Sequence, residues 1–274
     1  MKFIDHNSPE KAVINTAFKS LSYMDMWISS IVEGYIYEKV EDPKGVSSVD
    51  KYGYREEYML RYGKKEGEYK EWYSGEYWKS NGKLSTQVHY KEGKREGEYK
   101  GWYPNGQLCR LCYYKEGMLD GECKVWCSGV DRKLSSLTCY KEGKYHGECK
   151  DWWDNGNLRF QKYYKEGEYD GEYKIWWENG QLSCQEYFKE GKQEGESKMW
   201  SKNGQLQLLC YYKEGKYHGE YKVWWKKGQL ELLCYYKEGK LEGEYKVWWN
   251  EDGILREHKV YREGEVIEDL LSLE

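Results

Sequence analysis

Much of the chain alternates polar and apolar residues in short strings bounded by glycine. The string KEGKYHGEYKVWW, at residues 213–225, is the clearest example, and a near copy follows 24 residues later. Alternate residues of a β-strand point to opposite faces of a sheet. The string therefore predicts a strand with Tyr221 and Val223 on one face and Lys222 and Trp224 on the other.

The string recurs along the chain with a fixed period. Successive copies, measured between the glycines that precede the recurring glutamate, are 30, 24, 26, 24, 24, 24 and 24 residues apart. The eight glycines are Gly67, Gly97, Gly121, Gly147, Gly171, Gly195, Gly219 and Gly243. A constant period of this size indicates a repeat architecture, here with insertions in the first and third copies.

A connection of the form Asn-Gly divides each repeat into two strands. It favours a two-residue hairpin turn, in which both central residues take positive φ. If Asn155-Gly156 forms such a turn, three cross-strand pairs follow. They are Trp153 with Leu158, Asp151 with Phe160 and Cys149 with Lys162.

The second connection, G-K-x-x-G, predicts another two-residue turn, which places Lys213 opposite Glu220. Opposite charges directly across two strands stabilise a sheet by roughly 0.2–1 kcal/mol per pair, so these pairs would set the register. The equivalent predicted pairs are Lys91/Glu98, Lys115/Glu122, Lys141/Glu148, Lys165/Glu172, Lys189/Glu196 and Lys237/Glu244.

Together these patterns predict an all-β repeat protein: an elongated, single-layer antiparallel β-meander of tandem hairpins with a small helical N-terminal cap. Ser8-Pro9 is typical of a helix start. We expect four regions. They are a helical cap at 1–33, degenerate strands at 34–66, an array of about eight 24-residue repeats at 67–262, and a C-terminal cap with a short amphipathic helix at 263–274.

Composition narrows the class of protein. The 30 Tyr and 14 Trp supply the apolar area that a chain so poor in aliphatic residues otherwise lacks. A net charge of −4 argues against a general nucleic-acid binder. Without a signal peptide or a long apolar run, we expect an intracellular, cytoplasmic protein. Its nine cysteines are then expected to be free thiols.

Four of the cysteines, Cys109, Cys112, Cys123 and Cys127, have a spacing similar to that of a zinc ribbon. The repeat frame argues against a metal site. Cys109 and Cys112 are an odd number of residues apart in one strand, so they point to opposite faces. Cysteine in these strands is better interpreted as a small hydrophobic residue, and we expect no bound metal.

Catalytic chemistry is not indicated by the remaining residues. His146 and His218 share one turn position that is filled elsewhere by Glu or Asp, and no nucleophile accompanies them in a recognisable pattern. The remaining histidines are His6, His89 and His258. The glutamates alternate with lysines, as on a solvated face. We therefore expect no catalytic residues, no cofactor and no enzymatic activity.

The first tryptophan of each copy is the candidate binding residue. A row of partly exposed tryptophans marks an interaction surface, unless the aliphatic stems of Lys and Glu cover the rings. The column comprises Trp72, Trp102, Trp126, Trp152, Trp176, Trp200, Trp224 and Trp248. An alternative lipid-binding stripe comprises Lys150, Lys174, Lys198, Lys222 and Lys246, although each has a glutamate two residues before it.

The unit G-E-Y-K-x-W-W-x-N-G-x-L…Y-x-x-G-K-x-x-G resembles the MORN repeat, in the variant that is similar to YwqK-type antitoxin repeats. The resemblance covers roughly residues 60–265. It implies an antiparallel ribbon that acts as a scaffold, dimerises, and binds proteins or membrane phosphoinositides. Arrays of this divergent kind look like those of large DNA viruses of protists. The doubled tryptophan and the cysteines depart from the common unit.

From these observations we expect a non-enzymatic scaffold that binds protein partners, or copies of itself, along an aromatic and charged ribbon. A phosphoinositide or membrane-surface module is the first alternative. An antitoxin-like inhibitor and a structural component of a viral particle are the others. A membrane surface or a viral particle are the matching alternative locations.

Overall fold

The computed structural model describes residues 38–41, 55–61, 63–73, 82–129, 131–249 and 253–271. Every regular element in these ranges is a β-strand, as the alternating pattern predicted. The predicted helical cap at 1–33 lies outside the described residues. The chain divides into two compact units, Met1–Met118 and Leu119–Glu274.

In the first unit, consecutive strands pair antiparallel from β1 to β6. The region predicted to hold degenerate strands contributes the first two. The strands are β1 (Glu38–Glu41), β2 (Arg55–Arg61), β3 (Lys64–Trp72), β4 (Leu84–Lys91), β5 (Lys94–Trp102) and β6 (Leu108–Lys115). The short strand β7 (Met118–Leu119) contains the boundary between the units.

The second unit is an open antiparallel meander in which consecutive strands pair, except that β14 and β15 both pair with β13. Its first seven strands are β8 (Gly121–Trp126), β9 (Leu134–Lys141), β10 (Lys144–Trp152), β11 (Leu158–Lys165), β12 (Glu168–Trp176), β13 (Leu182–Lys189) and β14 (Lys192–Gln193). They are followed by β15 (Gly195–Trp200), β16 (Leu206–Lys213), β17 (Lys216–Trp224), β18 (Leu230–Lys237), β19 (Lys240–Trp249), β20 (Ile254–Arg262) and β21 (Glu265–Asp269).

The Asn-Gly connection is a three-residue loop and not the predicted two-residue turn. The N–H of Trp153 donates to the carbonyl of Asn157, and the N–H of Gly156 donates to the carbonyl of Trp153, both at 2.8 Å. Gly156 alone takes positive φ, 92°, which describes a type I turn followed by a left-handed glycine. Asn155 favours the loop because its Oδ1 accepts the N–H of Asn157 at 2.9 Å.

Because this loop is one residue longer than predicted, the first tryptophan of the repeat takes part in the cross-strand pair instead of the second. Trp152, and not Trp153, lies opposite Leu158, next to a β-bulge at the end of the strand. The predicted pair Trp153–Leu158 is therefore wrong. The other two predicted pairs are confirmed: Asp151 with Phe160, and Cys149 with Lys162.

The two-residue turn is formed instead by Glu-Gly in the second connection. Glu214 and Gly215 both have positive φ, 51° and 79°, as a type I′ turn requires. Lys213 therefore lies opposite Lys216, and the predicted pair with Glu220 is wrong. The same turn replaces the predicted pairs Lys91/Glu98, Lys141/Glu148, Lys165/Glu172, Lys189/Glu196 and Lys237/Glu244.

The two faces of each sheet differ in burial. We call the side that carries Tyr221, Val223 and their repeat equivalents the tyrosine face, and the side that carries Glu220, Lys222 and Trp224 the tryptophan face. Cys210 and Cys234, which are fully buried, lie opposite Tyr221 on its two neighbouring strands. Small side chains beneath tyrosine rings therefore form the core on the tyrosine face.

The C-terminal tail differs from the predicted amphipathic helix. Residues Glu265–Asp269 form strand β21, which pairs antiparallel with β20 through a further Glu-Gly turn. Arg262 lies opposite Glu265 across this turn. The turn chemistry of the repeat thus extends to strand β21, where a helix was predicted.

Candidate binding face

A tryptophan–leucine pair closes each repeat on the tryptophan face. All eight first tryptophans are partly exposed, neither buried nor free in solvent. The pairs are Trp72–Leu84, Trp102–Leu108, Trp126–Leu134, Trp152–Leu158, Trp176–Leu182, Trp200–Leu206, Trp224–Leu230 and Trp248–Leu255. Within each unit these residues occupy a column at every second strand, about 10 Å apart.

The lysine next to each tryptophan column is neutralised on its own strand. In every repeat the ammonium group forms an ion pair with the glutamate two residues earlier, and the two side chains share the tryptophan face. The pairs are Lys70–Glu68 (2.6 Å), Lys100–Glu98 (2.5 Å), Lys124–Glu122 (2.5 Å), Lys150–Glu148 (2.7 Å), Lys174–Glu172 (2.8 Å), Lys198–Glu196, Lys222–Glu220 (2.8 Å) and Lys246–Glu244 (2.8 Å).

Hydrogen bonds hold the carboxylates in their charged form. The bond from the lysine two residues later lowers the pKa of Glu98, Glu196 and Glu244. Burial opposes ionisation of Glu148, but bonds from Lys150, Tyr163 and Gln161 outweigh it and leave its pKa lowered. Lys100, Lys150, Lys198 and Lys246 therefore keep a negative partner at neutral pH.

A tyrosine column on the same face was not singled out from the sequence. Tyr187 lies opposite Glu172 and is 46% exposed, and Tyr113 is 36% exposed. The hydroxyl of Tyr113 donates to Glu98 at 3.2 Å. The sequence contains a signal for this column. These tyrosines are an odd number of residues from the buried core positions of the same strand, so they must point to the opposite face.

The second aromatic column has a structural role between repeats. The indole N–H of Trp153 donates to the carbonyl of Trp176 at 3.2 Å, and that of Trp177 donates to the carbonyl of Trp200 at 3.0 Å. Where Ser201 replaces this tryptophan, Gln205 donates to the carbonyl of Trp225 at 3.0 Å instead. Each bond joins one repeat to the first or second tryptophan of the next.

The cysteines do not form a metal site in the described chain, where no three Cys, His, Asp or Glu side chains converge. Burial raises the pKa of Cys184 to about 12 and that of Cys234 to about 11, so these thiols stay protonated. Cys112 and Cys123 are each disulfide-bonded, which corrects the expectation of nine free thiols. The free ones are Cys109, Cys127, Cys139, Cys149, Cys184, Cys210 and Cys234.

Two further features concern cavities and membranes. A shallow cavity of 350 Å³ lies in the first unit, where His89 takes the position of the exposed tyrosines and Glu68, Glu96 and Glu98 line the walls. In the part of the chain that the structure describes, no helix is long and apolar enough to cross a membrane.

Comparison with known proteins identifies the repeat. Five segments match the family model of the MORN repeat variant: residues 95–116, 145–166, 169–190, 193–214 and 217–238. The resemblance to the MORN repeat is thereby confirmed, whereas that to YwqK-type antitoxins stays a prediction. No curated protein matches the chain.

Two solved structures match part of the chain. "Crystal Structure of TcdB2-TccC3-Cdc42" and "Crystal Structure of TcdB2-TccC3" match 86% of this chain at 10% identity, with TM-scores of 0.21 and 0.20. This chain spans 15% of the length of each of those chains. Scores this low say nothing about what this chain binds.

Proposed function

Residues 95–238 contain five MORN repeats of the variant type, and we propose that the chain is a non-enzymatic scaffold that binds a protein along its tryptophan face. MORN repeats are generally scaffold modules that contact proteins or membranes. Of these two classes of partner, we propose a protein, and we assign the tryptophan face as the surface that it contacts.

The observation that carries the proposal is the ion pair between a glutamate and the lysine two residues before each first tryptophan. Beside the tryptophan column, the face consequently presents aromatic rings next to neutralised lysines. Partly exposed Trp and Tyr side chains are enriched where proteins meet, because they bury a large area at a small cost in side-chain entropy. Tyr187, at 46% exposure, offers such a ring next to the tryptophan column.

The same observation disfavours the phosphoinositide alternative. Lys150, Lys174, Lys198, Lys222 and Lys246 would supply the attraction to an anionic membrane, at about 1 kcal/mol for each unpaired lysine. All five already hold a carboxylate at 2.8 Å or closer. A lipid headgroup would have to displace that carboxylate before it gained the interaction.

Site-specific photocrosslinking in cells tests the proposal with a matched pair of positions. Tyr187 on the tryptophan face and Tyr145 on the tyrosine face are 46% and 44% exposed. A photoreactive phenylalanine at 187 is expected to capture one protein partner, whereas the same residue at 145 is not. The partner, once identified and purified, should bind the Trp224→Ala/Trp248→Ala double variant at least roughly tenfold more weakly.

Two outcomes would contradict the proposal. Capture of the same protein from both positions would show that the tryptophan face does not select it. Binding of the intact chain to anionic vesicles, lost at high salt and unchanged in the tryptophan double variant, would favour the membrane alternative. Circular dichroism of each variant verifies that the strands remain folded.

A further inference from the structure

The tyrosine column of the tryptophan face is interrupted at His89. In five repeats a tyrosine lies directly opposite the recurring glutamate, namely Tyr113, Tyr163, Tyr187, Tyr211 and Tyr235. His89, Cys139 and Val260 take this place in the other three. The cavity of 350 Å³ lies at the first of these interruptions, where His89 is opposite Glu68.

A repeat of the second unit shows how the complete arrangement is filled. Oε1 of Glu148 accepts hydrogen bonds from the hydroxyl of Tyr163 at 2.7 Å and from Nε2 of Gln161 at 2.5 Å. Its Oε2 pairs with Lys150 at 2.7 Å. A β-carbon at Gly171, on the next strand, would lie 3.0 Å from Cβ and 3.4 Å from Cγ of Tyr163. The tyrosine therefore occupies the space over this glycine.

The first unit contains the same groups without the phenol. Glu68 pairs with Lys70 at 2.6 Å through Oε2 and accepts a hydrogen bond from Gln87 through Oε1. Gln87 lies opposite Lys70, as Gln161 lies opposite Lys150 in the complete repeat. A β-carbon at Gly97, the equivalent glycine, would meet no atom of the described chain within 4 Å, its sequence neighbours aside. The space that the tyrosine fills elsewhere is thus open.

We propose that the cavity beside His89 receives a tyrosine side chain of the protein that binds the tryptophan face, with the tyrosine hydroxyl donating to Glu68. The inference rests on the proposed function, because it requires a protein on that face. A phenol is the group that Tyr113, Tyr163 and Tyr211 bring to the equivalent glutamate, at 3.2, 2.7 and 3.1 Å. The partner supplies here the ring that the chain itself supplies in those repeats.

The charges around the cavity favour a neutral donor. Three carboxylates line it, those of Glu68, Glu96 and Glu98, and they disfavour an anionic group such as a phosphotyrosine. A cationic side chain gains little, because each carboxylate already has a donor. Lys70 and Lys100 pair with two of them at 2.6 and 2.5 Å, and Glu96 accepts a backbone N–H at 2.8 Å.

Glu68 can accept a further hydrogen bond without losing those it has. An ionised carboxylate offers about four lone-pair positions, and Lys70 and Gln87 use two of them. Glu148 accepts three donors at once in the equivalent arrangement. An aromatic side chain seated in a pocket is also the usual form of an energetically dominant contact between proteins.

NMR titration of the intact chain tests the inference with N-acetyl-tyrosinamide. N-acetyl-phenylalaninamide, which differs only by the hydroxyl, is the matched control. The tyrosine probe should shift the amide signals of His89 and Gly97 saturably in the millimolar range, as expected for so small a ligand. The phenylalanine probe should bind roughly tenfold more weakly, because it lacks one hydrogen bond to a charged acceptor.

Two exchanges between the repeats make the result decisive. His89→Tyr introduces the residue of the complete repeats and should abolish binding of the probe at Gly97. Tyr163→His should create a second site, reported by the amide of Gly171. The amide spectrum of each variant verifies its fold. No saturable shift in the original chain, equal binding of the two probes, or binding that persists in His89→Tyr would overturn the inference.

The partner captured from position 187 provides an independent measurement. It should bind His89→Tyr at least roughly tenfold more weakly than the original chain, and an unchanged affinity would overturn the docking of its tyrosine. The two proposals fail in different ways. Failure to capture a partner contradicts the proposed function, whereas an original chain that does not bind N-acetyl-tyrosinamide contradicts only this inference.

Discussion

Trp224 lies directly opposite Leu230 on the β17–β18 pair, and the same pairing of tryptophan with leucine recurs in every repeat. The pair sits beside the β-bulge that the three-residue loop creates. The loop thus places the tryptophan ring at the end of the strand, and the leucine on the neighbouring strand covers part of the ring. The candidate binding column consequently also supports the sheet.

We predict that Trp224→Ala and Leu230→Ala are not independent. Because the ring is only partly buried, Trp224→Ala should lower the free energy of unfolding by about 2 kcal/mol, less than for a core tryptophan. Leu230→Ala should cost about 1 kcal/mol, and the double variant should fall short of the sum by about 0.5 kcal/mol or more. Urea denaturation of all four proteins measures this coupling, and strict additivity would contradict the pairing.

The turn glutamates predict a substitution pattern opposite to that of ordinary strands. Glu214 has φ of 51°, a region that costs about 1 kcal/mol for a residue with a β-carbon. Glu214→Gly should therefore be neutral or stabilising, whereas Glu214→Val should destabilise by about 1–2 kcal/mol. Thermal unfolding gives the comparison. Thr86→Val, at a position of β4 that is paired on both sides, is the control and should not show that loss.

The second tryptophans offer a matched test of the bonds between repeats. The indole N–H of Trp177 donates to the carbonyl of Trp200, whereas that of Trp225 is buried without an acceptor. Trp→Phe removes a bonded N–H at position 177 and a buried, unbonded N–H at position 225, so the difference reports what an acceptor contributes to the indole N–H. Trp177→Phe should cost about 1 kcal/mol more than Trp225→Phe. Chemical denaturation measures the loss of stability in both variants. Equal losses would show that the hydrogen bond of Trp177 adds nothing to stability.

Glu148 predicts a pH-dependent contribution to stability. Its pKa is lowered in the folded chain, so its contribution is present above its ordinary range near pH 4.3 and is lost as the pH falls through the folded pKa. Because the group is partly exposed, Glu148→Gln should cost only about 0.5 kcal/mol at pH 7. The difference should vanish near pH 3 in urea titrations. A constant difference across pH would imply lost packing instead.

The buried thiols predict slow and uneven alkylation. Cys234 is fully buried with a pKa raised to about 11, and Cys210 is equally buried, whereas Cys127 is partly exposed. With iodoacetamide at pH 7.5, Cys127 should react at least roughly a hundredfold faster than the other two, since only an accessible thiolate attacks. Peptide mass spectrometry measures the order. Equal rates would contradict the burial of this column.

The period and the alternation were enough to predict much of the fold. The eight glycines fixed the repeat, and alternation assigned Tyr221 and Trp224 to opposite faces because neighbouring side chains of any strand must diverge. The interior pairs of the hairpin, such as Cys149 with Lys162, also followed. These features are local, so the residues that determine them lie within one repeat.

Turn type could not be assigned from the glycine dipeptides alone. Asn-Gly and Glu-Gly both carry a glycine with positive φ, but only in the second does the preceding residue share it. The conformation of Asn155 is stabilised instead by its side chain, which accepts the N–H of Asn157 and donates to the carbonyl of Glu178 in the next repeat at 2.7 Å. The N–H of Glu190 donates to Asp170, which lies on β12, the strand before the hairpin that Glu190 closes. Contacts between repeats therefore decided the register.

The sequence by itself determined the repeat unit, the strands and the residues on each face, because period and alternation are properties of neighbouring residues. The tertiary structure alone decided which face is the core, which lysines are neutralised and which side-chain nitrogens are buried without a partner. Those properties depend on what lies one strand or one repeat away, and a single string such as KEGKYHGEYKVWW does not contain that information. His218 shows the difference, because the burial of its nitrogen is defined only by the residues packed around it.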